Sequence, residues 1–205
     1  MAHAAGTLAG GHQLLVNSHL ETCPHCRSAV RAFEDVAATL LLAESPVELP
    51  LGLFERVLAA TESPMARAPV PRIKRRPMLP AGMEWPRSLR RAEVSRWWWM
   101  GPGVQWARVR LAEDPAASLF MFRIGPGRCL PPHTHSGQEL TQVLYGAFDD
   151  GRAVFGPGDF DATDDSIHHQ PVVQAGSECI CLAAVDGSVV FDSALARWAG
   201  AAIGL

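Results

Sequence analysis

The chain has 205 residues, 48% of them hydrophobic, and a formal net charge of -3, which excludes a disordered or fibrous protein and allows one or two domains with cores. The longest apolar runs, residues 39–43 and 178–185, fall far short of the roughly 20 residues a membrane-spanning helix needs. No charged-then-apolar signal segment opens the chain, so a cytoplasmic protein without a membrane partner is expected. The five cysteines fall as Cys23 with Cys26, Cys179 with Cys181, and Cys129 alone, a pattern that fits reduced thiols better than a secreted disulfide framework.

Charge is unevenly distributed. Residues 1–62 carry seven acidic and three basic side chains, whereas residues 63–80 carry five basic side chains, no acidic ones and five prolines. Proline at that density removes amide donors and disfavours helix at each preceding residue, so 63–80 is expected to be an extended linker. Arg72, Lys74, Arg75 and Arg76 are expected to be solvated linker charges, without direct nucleic-acid contact. Before the linker, apolar residues at Leu14 and Leu15, and then at Val30, Phe33, Val36, Ala37, Leu40 and Leu41, follow helical spacing. Pro50 interrupts this pattern, and Leu51, Phe54, Val57 and Leu58 make a further short apolar stripe. After the linker, short runs rich in Val, Phe, Ile and Trp alternate with Gly and Pro turns such as Gly156-Pro157-Gly158-Asp159. The expected fold class is therefore α plus all-β in two domains, 1–62 and 81–205.

The densest chemistry lies in Gly127-x5-His133-x-His135-x3-Glu139-x6-Gly146. Residues two apart on a strand share a face, so His133 and His135 project together, and Glu139 on the next segment adds a carboxylate. His169, ten residues after the turn ending at Asp159, is the candidate fourth ligand, and its neighbour His168 must then face outward. Three imidazoles and one carboxylate suit zinc, iron, manganese or nickel and leave coordination positions open.

This motif resembles the first motif of the cupin superfamily at every fixed position. The second motif is met at Gly158 and His169, while Asp164, Ser166 and Val173 stand where the superfamily has Pro, Gly and Asn. The resemblance implies a double-stranded β-helix barrel over 81–205, with a divalent metal held by His133, His135, Glu139 and His169.

A smaller constellation, His19-x3-Cys23-x-x-Cys26, precedes the linker. A helix ending near His19 brings an imidazole to a Cys-x-x-Cys turn, three ligands for one tetrahedral zinc, with His25 pointing outward. His12 lies seven residues earlier, about 10 Å along a helix, too far to share the ion. Together with the basic linker and the cupin, this arrangement resembles the ChrR-type zinc anti-sigma factors over nearly the whole chain, including Ala4-Ala5-Gly6-Thr7-Leu8 and Glu178-Cys179-Ile180-Cys181-Leu182. The family's fourth zinc ligand is a histidine whose matched position lies before Met1, so the domain is expected to be N-terminally short, with water or His3 completing the zinc.

The resemblance implies an anti-sigma factor that silences an extracytoplasmic-function sigma factor through residues 1–62 and releases it under singlet-oxygen or peroxide stress, with the cupin as sensor. Leu51, Phe54, Val57 and Leu58 are the expected contact residues, and the acidic balance of 1–62 suits a basic, DNA-binding partner. Cys179 and Cys181, on one face of an expected strand, are a possible redox pair. Together with Cys129 and Trp97–Trp99 they are otherwise expected to be buried strand residues. The competing expectation is a cupin metalloenzyme, such as an iron dioxygenase, at the same four ligands.

Overall fold

Gly and Pro turns cut the second half of the chain into short strands, as expected, while three helices precede it. The computed structural model describes residues 1–62 and 76–204, so most of the expected linker lies outside the described residues. In chain order come α1 (Gly10–Leu20), α2 (Pro24–Ala43), α3 (Leu53–Glu62), a 3-10 turn (Arg87–Arg91), β1 (Glu93–Val94), β2 (Trp98–Gly101), β3 (Val104–Arg110) and β4 (Ser118–Ile124). There follow β5 (His133–His135), β6 (Glu139–Tyr145), β7 (Phe148–Asp149), β8 (Val154–Phe155), β9 (Phe160–Thr163), β10 (Val172–Val173), β11 (Cys179–Val185), β12 (Val189–Phe191) and α4 (Ala194–Ile203). Among the described residues no helix is long and apolar enough to cross a membrane.

The strands make a cupin-like barrel. One large antiparallel sheet runs β1-β3-β4-β11-β6-β9, with β2 also paired to β3; opposite it lie a β10-β7-β8 sheet and a β12-β5 ribbon. Bridges between Cys129 and Val172 and between His133 and His169 stitch these smaller sheets together. The turn between β5 and β6 depends on Gly137: a Cβ there would run into the Asp186 carbonyl.

The large sheet is buried on both faces. Its inner face packs Val104, Phe120, Phe122, Ile124, Val143, Cys179, Cys181 and Ala183 into the barrel with Phe148 and Val173 from across. Its outer face carries Val109, Leu119, Met121, Leu140, Ile180, Leu182 and Ala184, and these meet Leu14 and Leu15 of α1 and Leu89 of the 3-10 turn. This alters the organisation expected for residues 1–62. The helical stripes were expected to build a separate core, but α1 is packed on the barrel, whereas α2 and α3 bury no residue at all. Two further expectations fail on burial. Trp98 and Trp99 lie exposed on β2 and Cys129 is exposed, instead of being interior strand residues. Arg76, expected to be solvated, lies 5.0 Å over the Trp85 ring and donates from Nη2 to the Leu89 carbonyl at 2.6 Å.

Because Leu15 is fully buried between α1 and the sheet, Leu15→Ala should destabilise the barrel by about 2–5 kcal/mol in chemical denaturation. The exposed Leu58→Ala should change it by no more than about 0.5 kcal/mol. Equal effects of the two would contradict the packing described.

Candidate metal centres

Inside the barrel the four expected ligands converge. His133 and His135, two apart on β5, are both buried, as is His169. His133 and His169 exchange both backbone hydrogen bonds across their bridge, at 3.1 and 3.0 Å, which puts their side chains on one face. Their Nε2 atoms lie 3.1 Å apart, and His135 Nε2 is 2.6 Å from Glu139 Oε2. Nearby Thr141 donates to Glu139 Oε1 at 2.8 Å, which holds the carboxylate in place. His168, as expected, faces out, against Asp192 at 3.0 Å.

The donor set fits a cation. His133 Nδ1 donates to the Pro131 carbonyl at 2.8 Å, which leaves its Nε2 as a lone pair. That lone pair faces another imidazole nitrogen at 3.1 Å, and His135 Nδ1 is buried without a hydrogen-bond partner. Lone pairs so aimed repel one another unless a proton or a metal stands between them. His133, His135 and His169 bring ligand nitrogens within 4.8 Å of one another. Burial, followed by the positive field of His133, lowers the His169 pKa to about 4; burial also lowers that of His133. For Glu139, burial pushes upward, but the contacts with His135 and His133 outweigh it and hold the carboxyl below its ordinary range. At neutral pH His133 and His169 are thus neutral imidazoles and Glu139 is a carboxylate.

Cys179 and Cys181 point into the same cavity. Their sulfurs lie 3.5 Å apart, and the space they share with His133, Glu139 and His169 is about 40 Å³. The hydrogen bond to Cys179, burial and the Glu139 charge together raise the Cys181 thiol well above its ordinary range. Sequence inspection placed both on one face but could not say which face that was.

The second cluster, His19, Cys23 and Cys26, sits where α1 meets α2. Cys23 caps α2, its sulfur accepting from the Cys26 amide at 3.4 Å, with Pro24 following at the first helical position. That amide, above all, lowers the Cys23 pKa, while burial raises that of Cys26. His19 Nδ1 donates to the Gly158 carbonyl at 2.9 Å, leaving Nε2 for a metal, and its ring lies 5.2 Å from that of Phe160. His3 stands apart from the cluster; its Nδ1 is 2.9 Å from Gln13 Nε2, so three side chains make the site.

Residues 87–187 match the family model described as the ChrR cupin-like domain. Over 196 residues, 96% of this chain and 90% of the relative, the sequence is 37% identical to the anti-sigma-E factor ChrR of Cereibacter sphaeroides. The chain belongs to the ChrR family. The crystal structure of Rhodobacter sphaeroides SigE in complex with the anti-sigma ChrR contains a chain that is 35% identical and superposes with a TM-score of 0.71, over 90% of this chain and 93% of that one. In this member of the ChrR family, sequence inspection missed three charges beside the cupin site, the buried Asp150 and Asp161 and the exposed Arg152 that pairs with both. They sit in or next to a turn-like Asp-Asp-Gly-Arg stretch whose composition signals only a loop.

With the His169 pKa near 4, protons compete for this ligand only at low pH. A metal-loaded chain should hold its cupin ion as pH falls through the ordinary imidazole value of 6.5 and lose it near 4, read by elemental analysis after dialysis. Release centred on the ordinary value would contradict the burial described.

Proposed function

We propose that this chain is an anti-sigma factor that binds and silences an extracytoplasmic-function sigma factor and frees it under oxidative stress of the singlet-oxygen or peroxide type. The observation that carries this is the bare state of α2 and α3. Phe33, Val36, Leu40 and Leu41 on α2, and Leu51, Phe54, Val57 and Leu58 on or beside α3, are all exposed, and neither helix buries a residue against the barrel. Amphipathic helices without a core of their own bury their apolar stripe on a partner, in the helix-in-groove manner. The acidic balance of residues 1–62 favours a basic one, and the relative of this family crystallised with SigE is an anti-sigma factor.

In this reading His19, Cys23 and Cys26 hold a zinc that sets the α1–α2 junction, with water as the fourth ligand. The cupin holds zinc or another divalent transition metal, such as iron, manganese or nickel, at His133, His135, Glu139 and His169. When bound, that ion supplies open coordination positions within a closed cavity. Cys179 and Cys181 are the redox-sensitive thiols beside it. A cavity of about 40 Å³ admits water or a small diffusible oxidant, whereas pockets for organic substrates run to about 300 Å³ or more, which weighs against a dioxygenase. The protein works in the cytoplasm, through its protein partner and without contacting DNA itself.

Co-purification with a sigma factor encoded beside the gene tests the proposal. Phe54→Ala should weaken that complex about ten-fold or more, because a buried Phe at such an interface contributes a few kcal/mol. His133→Ala should leave resting affinity nearly intact and abolish oxidant-triggered release. Absence of any sigma factor, together with oxygen-dependent turnover of a small molecule at the cupin metal, would replace the regulator with an enzyme.

A further inference from the structure

Outside the four cupin ligands, a cluster of charged side chains lies behind His169. Asp150 follows β7, and its side chain is fully buried. Its Oδ1 accepts from the amides of Arg152 and Ala153 at 2.9 and 3.1 Å. Its Oδ2 meets Arg152 Nη2 and stands 3.7 Å from His169 Nδ1. The same Arg152 Nη2 donates to Asp161 Oδ2 of β9 at 2.7 Å. His169 therefore has one ring nitrogen among the cupin ligands and the other, buried and without a hydrogen-bond partner, aimed at a fixed carboxylate.

Asp150, Asp161 and His169 also have the spacing of a cation site, but the Arg152 guanidinium stands on both carboxylates and already serves as their cation. A loop-stabilising role would account for Oδ1 and for the contact of Oδ2 with Arg152. It leaves unexplained why Oδ2 faces the imidazole, and why one arginine is shared by two acids, which leaves a net negative charge beside a buried ring.

We propose that Asp150 is a positioning residue for the cupin metal: it accepts the Nδ1–H of His169, fixes the tautomer whose Nε2 lone pair faces the ion, and is itself held by Arg152 and Asp161. A small turn of the ring closes the 3.7 Å gap to hydrogen-bond length. Such outer carboxylates orient a ligating histidine and raise its basicity. The inference rests on the cupin's holding a metal, and the unsubstituted chain is the arm that tests that premise.

The experiment loads the full chain with cobalt(II), then titrates it with a competing chelator and records the visible cobalt band. Unsubstituted protein should bind; if it takes up no cobalt at the cupin, the metal reading itself fails, and this proposal with it. Asp150→Asn keeps the shape but turns an amide toward the ring or the guanidinium, and should weaken binding by about 10- to 100-fold and shift the band. Arg152→Gln leaves the carboxylate in place but loosens it, and should give a smaller loss in the same direction. The melting temperature of each metal-free variant separates orientation from folding. If Asp150→Asn binds cobalt with unchanged affinity and an unchanged band, the proposal is overturned. If that variant does not fold, Arg152→Gln decides: an altered cobalt band in a folded chain supports the proposal, and an unaltered one overturns it.

Discussion

Strand β11 is covered on both of its faces, and the rest of the molecule is arranged around that constraint. All seven of its residues are buried. Cys179, Cys181 and Ala183 face the barrel interior, while Ile180, Leu182 and Ala184 face outward and would expose a broad apolar surface if nothing lay on them. Helix α1 and the 3-10 turn supply that cover. A cupin-like barrel in isolation would leave this face wet. The first helix is thus part of the barrel's fold although it lies at the other end of the sequence, and the His19 cluster is carried to the barrel surface with it.

The legibility of the sequence follows the range of the interactions involved. Three of the four cupin ligands could be read because strand alternation acts over two residues and the turn at Gly137 over three, so local rules bring His133, His135 and Glu139 together. His169 needed the family motif, since its partner across the bridge is 36 residues away. The contact between His19 and Gly158 spans 139 residues, and the ion pairs of Asp150 and Asp161 with Arg152 depend on how a loop folds over β9. Neither leaves any periodic trace. Helical spacing was legible over α1, α2 and α3 alike, yet it does not say what a stripe packs on. The stripe of α1 meets the sheet, whereas those of α2 and α3 bury no residue among the described residues.

That asymmetry has a mechanical consequence at the α1–α2 junction. Glu21 accepts from the amides of Arg87 and Ser88 at 2.8 and 2.7 Å, and His19 donates to Gly158, so the end of α1 is tied to the barrel by three hydrogen bonds. Beyond Cys23, the direction in which α2 leaves depends on one capped turn and on a hydrogen bond from Arg27 Nη1 back to the Leu20 carbonyl at 2.7 Å. An ion shared by His19, Cys23 and Cys26 would bind the fixed side of that turn to the free side. Its loss would then release α2 and α3 while leaving α1 and the barrel in place, because the sheet holds α1 through Leu14 and Leu15.

Charge balance within the barrel gives the cupin site its demand for a cation. Glu139 is held ionised by its histidine neighbours against the pull of burial, and Asp150 is held ionised against burial by the amides and guanidinium of the 150–153 turn. Burial, the largest influence on Asp161, pushes its pKa upward, and Arg152 opposes it. With that one guanidinium shared between Asp150 and Asp161, the carboxylates beside the site outnumber the fixed positive charges. A buried excess of that kind is costly in a low-dielectric interior, and a divalent ion at the convergence of the three imidazoles and Glu139 offsets it without protonating any ligand. The same balance bears on Cys181, whose thiol is raised by its contact with Cys179, by burial and by the Glu139 charge. A cation bound next to it would relax that penalty and so make the Cys181 thiol more reactive.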